Sequence, residues 1–376
     1  MSTRVTVLGA GFGGMELSTI LSEQLGSQVE VTLIDRSDAF VFGFAKLDVM
    51  FNRATADAVH LPYRNFVKPG VRLLRETVTA IDPETRRVTT DAGTHDADYL
   101  VVALGADYDI AATPGLEAEN EFYSVAGATR LRDVLPTFKR GHALVGVCGA
   151  PYKCPPAPSE CALMLHDYLS TAGVRSACEI TLVLPLPSPV PPSPDTSKAL
   201  LAAFAERGIR FMPNRRIAAV DASRRIATLD DGTEVPYELF LGVPKHRAPA
   251  VVEASGLTEG GWVTVNPRTL QTRLPNIYAI GDIANTGTPK AGVFAEGAAS
   301  AVAASLIARI RGEGDGGLYA GAGTCYIEFG AGRIGRVDVD FFSGPKPTGT
   351  YHEPSVALRE DKERFGASRK ARWFGL

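Results

Sequence analysis

Short apolar runs alternate with helical patterns along most of the chain. Near the N-terminus, strand-forming residues at positions 4–8 (RVTVL) precede a cluster of glycines and a helical pattern at positions 12–21 (FGGMELSTIL). A second apolar strand, VEVTLID, occupies positions 29–35. A strand, a helix and a strand in this order are typical of a parallel βαβ unit. The pattern predicts an α/β fold.

An internal repeat extends this picture. Residues 78–105 and residues 217–243 share an apolar strand, a turn with Asp82 or Asp221, an Arg-Arg pair, a second strand, a Gly-Thr turn and a final apolar strand. This order predicts a β-meander that leads into the last parallel strand of each of two nucleotide-binding folds. We therefore expect two Rossmann-like domains, of which the first is discontinuous, and a small C-terminal domain.

The repeat divides the chain into four segments. We expect the first Rossmann-like domain to occupy residues 1–107 and, after an interruption, residues 243–315. The second Rossmann-like domain would occupy residues 108–242, and the C-terminal domain residues 316–376.

Composition narrows the function classes. The 376 residues are 45% hydrophobic and 22% charged, which suits two or three globular domains. A net charge of −3 argues against nucleic acid as the main partner. No run approaches the roughly 20 apolar residues of a membrane span, and the chain enters a strand at once, with no signal peptide ahead of it. We therefore expect a cytoplasmic protein.

The glycines after the first strand have the spacing of a dinucleotide-binding loop. Gly9 allows a tight turn, Gly11 lets the backbone approach a pyrophosphate, and Gly14 lets the helix pack closely on the strand. The second strand ends in Asp35, followed by Arg36, where an acidic residue binds a ribose hydroxyl. The first unit is predicted to bind a dinucleotide.

The corresponding loop of the second unit lacks this spacing. The strand HALVGVCGA contains Gly146 and Gly149 and is followed by Pro151, and proline removes the backbone N–H donors that would bind a pyrophosphate. The next strand ends in Leu184 and Pro185, where an acidic residue would bind the adenosine ribose. The glycine loop and the acidic residue of a nicotinamide-nucleotide site are therefore both missing. We expect electrons from a donor other than NADH.

Cys154 stands in this altered loop. It lies beside Lys153 and shortly before a helical pattern, and both neighbours would lower the pKa of its thiol. Glu160 lies six residues later, either as a proton-transfer partner or as a first-turn carboxylate stabilised by the helix dipole. The five cysteines do not form a disulfide framework, and no metal-ligand spacing is present.

Two further strands end in glycines, at Gly105 (VALGA) and at Gly281-Asp282 (IYAIGD). Together with the first glycine loop they resemble the FAD domain of pyridine-nucleotide-disulfide-reductase-like flavoproteins. The residues alone also allow an ordinary turn and helix cap at Asp282 and a surface loop at Lys290. The resemblance implies FAD, with Asp282 near its ribityl and phosphate groups and with a segment along the flavin that contains Lys290, Ala291 and Val293.

The segments YKCPPAPSE (152–160) and GTCY (323–326) are more specific. They resemble active-site segments of the flavoprotein subunit of flavocytochrome c sulfide dehydrogenase and of sulfide:quinone oxidoreductases. The resemblance implies a redox disulfide between Cys154 and Cys325 near the flavin, with Glu160 at the family's spacing. Sulfide, or a small thiol or persulfide, would form a persulfide there. Electrons would pass through FAD to a quinone or a cytochrome, and Lys290 would stabilise charge on reduced FAD.

The remaining features leave alternatives open. The basic C-terminal segment ends in Trp373-Phe374 and fits a peripheral contact at the inner face of the membrane, a solvated helix or a homodimer contact. Cys148, Cys161 and Cys178 are interpreted as small hydrophobic residues. The alternative for Cys161, implied by the resemblance alone, is the third cysteine that some quinone-reducing relatives use. Two other functions compete: a type II NADH dehydrogenase, and a flavin-binding electron-relay or regulatory protein without sulfide turnover.

Overall fold

Two parallel sheets from different parts of the chain form the frame of the molecule. The computed structural model describes residues 2–376. The helices in these residues, with a terminal π-helical turn at Lys370–Phe374, are α1 (Phe12–Leu25), α2 (Ala45–Met50), α3 (Ala56–Val59), α4 (Val125–Val134), α5 (Ala157–Thr171), α6 (Pro194–Glu206), α7 (Ala250–Ala254), α8 (Gly292–Arg311) and α9 (Ala357–Arg369).

The strands in the same residues are β1 (Thr3–Leu8), β2 (Val29–Asp35), β3 (Ala39–Phe40), β4 (Leu61–Pro62), β5 (Val71–Arg75), β6 (Val78–Asp82), β7 (Arg87–Thr90), β8 (Thr94–Asp96), β9 (Tyr99–Val102), β10 (Asp107–Asp109), β11 (Gly141–Val147), β12 (Cys178–Leu184), β13 (Ile209–Pro213), β14 (Ile217–Asp221), β15 (Ile226–Leu229), β16 (Glu234–Pro236), β17 (Leu239–Val243), β18 (Lys245–Arg247), β19 (Thr258–Glu259), β20 (Trp262–Thr264), β21 (Ile277–Ala279), β22 (Ala284–Asn285), β23 (Ala322–Glu328), β24 (Ile334–Asp340) and β25 (Thr348–Ser355).

The first sheet has the strand order β21-β9-β1-β2-β5, and every pairing in it is parallel. The second sheet has the order β13-β12-β11-β17 and is also parallel. Because β21 returns to the first sheet after the whole second sheet, the first Rossmann-like unit is discontinuous. The predicted α/β fold class is confirmed.

The chain crosses between the two sheets at one place. Strand β10, on the way out, pairs antiparallel with β18, on the way back. These strands show where the chain passes from one sheet to the other, near residues 107 and 245. They do not define where one domain ends and the next begins. The residue limits of the four segments therefore stay predictions.

The internal repeat appears as two three-stranded meanders, β6-β7-β8 and β14-β15-β16. Their turns match closely, since Asp82 and Asp221 both accept backbone hydrogen bonds within the turn. Arg86 and Arg225, at equivalent positions, both have positive φ, 56° and 54°. Each meander leads into a parallel strand, β9 or β17. The strand β17 is the last of the second sheet, as the sequence predicts, whereas β9 is followed in the first sheet by β21.

The C-terminal segment forms an antiparallel sheet, β23-β24-β25, followed by α9 and the π-helical turn. Trp373 and Phe374 are buried, and the Trp373 ring lies edge-on to Phe12 and Phe40 at 5.7 and 5.6 Å. Its indole N–H donates to the Glu16 carboxylate at 2.7 Å. The expectation that these two aromatic side chains lie at a membrane or dimer interface is wrong, because they fill an aromatic cluster inside the protein.

Helix α8 corrects the expectation that no run of residues approaches the length of a membrane span. Its 20 residues contain an 18-residue window with a mean hydropathy of 1.5, which gives the helix the length and composition of a membrane span. More than half of its apolar window is buried, and the helix packs against α1. Such burial is typical of the core helix of a globular protein.

The packing of α1 on β1 depends on two glycines of the first loop. Gly9 has φ +101°, a conformation that favours glycine, and a Cβ atom there would overlap the carbonyl of Ala103. A Cβ atom on Gly14 would overlap the carbonyl of Gly9. The close approach of helix and strand therefore excludes any side chain at position 14.

We expect Gly14→Ala to lower the free energy of unfolding by about 1–3 kcal/mol, because the new methyl group forces the helix away from the loop. Gly11→Ala is the matched control, since a Cβ atom there meets nothing within 4 Å. Thermal unfolding of the cofactor-free variants measures the difference. Equal melting temperatures for the two variants would contradict this account of the packing.

Candidate active site

A large cavity of about 610 Å³ lies at the carboxyl ends of the first sheet, beside the loop after β11 and the C-terminal sheet. Ligands of open α/β sheets bind at this edge. Gly14 lies behind the cavity wall, against Gly9. All other predicted site residues line the cavity, namely Gly9, Gly11, Asp35, Arg36, Gly105, Cys154, Glu160, Gly281, Asp282, Lys290, Ala291, Val293 and Cys325.

One end of the cavity has the features of a dinucleotide site. The Asp35 carboxylate accepts hydrogen bonds from the backbone N–H groups of Ala10 and Ser37, both at 2.8 Å, which fixes it beside the glycine loop. The space that a side chain on Gly11 would enter is open. Arg36 pairs with Asp107 at 3.2 Å. A pyrophosphate can approach the backbone at Gly11 with a ribose near Asp35, so these residues fit FAD.

Lys290 also lines the cavity and is buried, with 7% of its surface exposed. Its ammonium donates to the Asp282 carbonyl and lies 3.5 Å from the centre of the Trp262 ring. Burial lowers the pKa of Lys290 to about 8 and raises that of Asp282. The surface-loop interpretation of Lys290 is wrong. Its contact with Trp262 was not predicted, because no local motif links the two segments.

Two further lysines face the same space. Lys153 donates to the Ala106 carbonyl at 3.0 Å, with its ammonium 4.3 Å from the centre of the Tyr108 ring. Lys46, on α2, lines the cavity as well, and burial followed by repulsion from Lys153 lowers the pKa of Lys46 to about 8. No sequence signal marked Lys46, which belongs to a short helix without a motif. This part of the cavity carries more positive than negative charge.

Cys154 occupies a loop that is fixed to the first unit. Its backbone N–H donates to the Lys290 carbonyl at 2.7 Å, and Lys153 forms a parallel bridge with Lys290. Cys154 has φ +51°, an uncommon conformation for a residue with a side chain. Strained residues of this kind cluster at functional sites. Helix α5 begins three residues later, at Ala157.

Cys325 comes from the middle of β23 and reaches the same cavity. Both cysteines are free thiols. Burial raises the pKa of Cys325 to about 12, and burial, Glu160 and Cys325 together raise the pKa of Cys154. The expected low pKa at Cys154 is wrong, because desolvation of the thiolate and a nearby carboxylate outweigh the helix start.

Glu160 lies in the first turn of α5, as expected, but is buried, with 3% of its surface exposed. Its carboxylate accepts a hydrogen bond from the Glu328 backbone N–H at 3.0 Å. Burial raises the pKa of Glu160 to about 7, although Lys362, which pairs with the Glu328 carboxylate at 2.7 Å, opposes the shift. A carboxyl group whose pKa lies near neutral pH, beside two thiols, is suited to proton transfer.

The other three cysteines, Cys148, Cys161 and Cys178, are buried in the core, and none of them lines the cavity. Cys161 points into the core from α5, although it follows Glu160 directly. Its position gives no support to a role as a third redox cysteine.

Comparisons with known proteins agree with this geometry. The model of the pyridine nucleotide-disulphide oxidoreductase family matches residues 3–305. The mitochondrial sulfide:quinone oxidoreductase of Mus musculus is 25% identical over 362 residues, 92% of this chain and 79% of that protein. The sulfide-quinone reductase of Aquifex aeolicus is 26% identical over 353 residues, 88% of this chain and 82% of that protein.

Two further similarities concern the fold and a shorter segment. The X-ray structure of the Aquifex aeolicus sulfide:quinone oxidoreductase superposes with a TM-score of 0.88 at 23% identity, over 99% of this chain and 92% of that one. The type II NADH:quinone oxidoreductase of Staphylococcus saprophyticus is 32% identical over 116 residues, 30% of this chain and 29% of that protein. With a family match that spans both parallel sheets, this FAD-dependent oxidoreductase belongs to the pyridine nucleotide-disulphide oxidoreductase family.

Proposed function

We propose that this oxidoreductase oxidises sulfide, or a related small thiol or persulfide, with Cys154 and Cys325 as a redox pair. The observation that carries the proposal is that the two cysteines, 171 positions apart in sequence, line one cavity together with the FAD loop. The relatives named as sulfide:quinone oxidoreductases support it. The absence of a glycine fingerprint in residues 148–156, after β11, argues against NADH as the donor.

The chemistry begins with the oxidised pair. HS⁻ attacks one sulfur of the Cys154–Cys325 disulfide, so that a new S–S bond forms, the disulfide breaks, and a persulfide and a thiolate remain. Reforming the disulfide releases one sulfane sulfur, one proton and two electrons for each sulfide consumed. FAD, when bound, supplies a two-electron acceptor in the same cavity. We assign the released proton to Glu160, because its buried carboxylate is the one that acts most strongly on both thiols.

The charge of the cavity supports an anionic substrate. Lys46, Lys153 and Lys290 all act on Asp282 and outnumber it. An excess of ammonium groups in a desolvated space favours HS⁻ or another small sulfur anion over a neutral molecule. Lys290 would also stabilise negative charge on the reduced cofactor.

We propose a quinone as the electron acceptor, in preference to a cytochrome. Phe44, Tyr326 and Phe365 line one part of the cavity beside Lys362, and such aromatic walls suit a flat apolar ring. The names of the relatives agree with this acceptor. Reaching a membrane quinone requires a peripheral contact with the membrane, which we place at its inner face.

Anaerobic flavin spectra test the donor. We expect sulfide to bleach the flavin of the wild type within the turnover time, and to fail in Cys154→Ser and Cys325→Ser, because neither variant can form the disulfide. Cys161→Ala is the control, since Cys161 lies outside the cavity, and its flavin should bleach normally. Bleaching by NADH alone would favour a type II NADH dehydrogenase, and no bleaching by either donor an electron-relay protein.

Glu160 gives a pH dependence. The carboxylate, which is the base, is present above its pKa of about 7 and is lost as the pH falls below it. We therefore expect kcat at saturating sulfide to rise through pH 7 and level off, and Glu160→Gln to lower it roughly 100-fold. The variant should also lose the rise. An unchanged profile in Glu160→Gln would exclude Glu160 as the base.

Lys46 is tested by alkylation in a Cys325→Ser background. Iodoacetate is an anion and iodoacetamide is neutral. The rate of alkylation of Cys154 by iodoacetate, divided by its rate with iodoacetamide, therefore rises with the positive charge around the thiol. We expect Lys46→Met to lower this ratio roughly fivefold, equivalent to about 1 kcal/mol, and the exposed Lys139→Met to leave it unchanged. Equal ratios in all three proteins would contradict an anion-attracting role for Lys46.

A further inference from the structure

A chain of hydrogen bonds leads from the cavity through the C-terminal sheet. Thr324, which lines the cavity next to Cys325, donates its hydroxyl hydrogen to Asp338 Oδ1 at 2.7 Å. The other carboxylate oxygen of Asp338 lies 2.7 Å from His352 Nε2. The His352 side chain is 37% exposed. The Asp338 side chain is 36% exposed, so the chain lines the cavity at Thr324 and meets water at both Asp338 and His352.

The strand register explains why these three side chains meet. Thr324 on β23 pairs with Asp338 on β24, and His352 on β25 pairs with Arg336. Because side chains alternate between the faces of a sheet, Thr324, Asp338, Arg336 and His352 share one face. Cys325 pairs with Val337 and points to the opposite face.

Charged groups surround the chain. Arg336 donates to Asp338 Oδ2 at 2.9 Å and also lies 3.8 Å from Asp361 of α9. Burial would raise the pKa of Asp338, but bonds from Thr324, His352 and Arg336 lower it on balance. Asp338 is thus an anion that bonds to Thr324 through one oxygen and to His352 and Arg336 through the other, and Arg336 also lies 3.2 Å from His352 Nε2.

Reduction of a quinone requires a supply of protons. Reduction by two electrons consumes two protons, one at each carbonyl oxygen, and gives a quinol. Sulfide oxidation releases only one proton, at Glu160, which is bonded to the Glu328–Lys362 cluster beside the aromatic part of the cavity, so the second proton needs another source. The aromatic part of the cavity lies on the side of Thr324, since Tyr326 follows two positions later on β23 and contacts Phe365.

We propose that Thr324, Asp338 and His352 form a proton-delivery path from solvent to the quinone. His352 gives a proton to Asp338, Asp338 gives one to the Thr324 oxygen, and the Thr324 hydroxyl gives its own to the reduced quinone oxygen. This transfer supplies the second proton, and solvent reprotonates His352. The inference rests on the proposed quinone reductase function.

Rapid mixing of the holoenzyme tests the path. Enzyme reduced anaerobically with sulfide is mixed with decylubiquinone, and flavin reoxidation is followed in H₂O and in D₂O. We expect Asp338→Asn and Thr324→Val to slow reoxidation roughly 100-fold, with a larger solvent isotope effect than in the wild type. Thr324→Ser keeps the hydroxyl and should stay near the wild-type rate, and imidazole should restore His352→Ala.

Ferricyanide is the matched control because its reduction consumes no proton. We expect all variants to be reoxidised by ferricyanide, and reduced by sulfide, at the wild-type rate. Equal slowing with ferricyanide and quinone in Asp338→Asn would mean a structural role and overturn the inference, as would a normal rate with quinone. A wild-type enzyme that sulfide reduces but quinone does not reoxidise would overturn the proposed acceptor and the path with it.

Discussion

The hydrogen bond from the Cys154 N–H to the Lys290 carbonyl joins the two Rossmann-like units at the cavity. It holds the loop after β11 against the segment after β21, so that residues from both sheets face one space. Lys153 faces the cavity from the same bridge, and Lys290 is held between Trp262 and the Asp282 carbonyl. The juxtaposition of thiol, ammonium groups and dinucleotide loop depends on this contact.

Desolvation is the force that sets the chemistry of this space. It lowers the pKa of Lys46 and Lys290 to about 8 and raises the pKa of Glu160 to about 7. The two lysines and the glutamate therefore titrate in nearly the same pH range. Desolvation also disfavours both thiolates. A cavity of this kind favours the neutral thiol until a neighbouring base takes the proton, which makes the placement of Glu160 more important than the helix start beside Cys154.

The sequence predicted those features of the fold and the site that are determined by neighbouring residues. The glycine spacing, the repeated meanders and the loop carrying Cys154 all depend on residues close together in the chain, and the structure has them as expected. The sequence could not predict the burial of Trp373, the contact of Lys290 with Trp262, or the chain from Thr324 to His352, because these depend on packing and strand register between distant segments. The thiol pKa at Cys154 was mispredicted for the same reason, since burial is a tertiary property.

The two parallel sheets have equivalent meanders but different numbers of strands, five and four, and their first connections differ in chemistry. The first connection, residues 9–14, is a nucleotide loop, and the second, residues 148–156, presents a cysteine. A duplicated scaffold of this form can exchange one reactant for another by replacing nine residues while its strands stay unchanged, which makes the second connection a module for redesign.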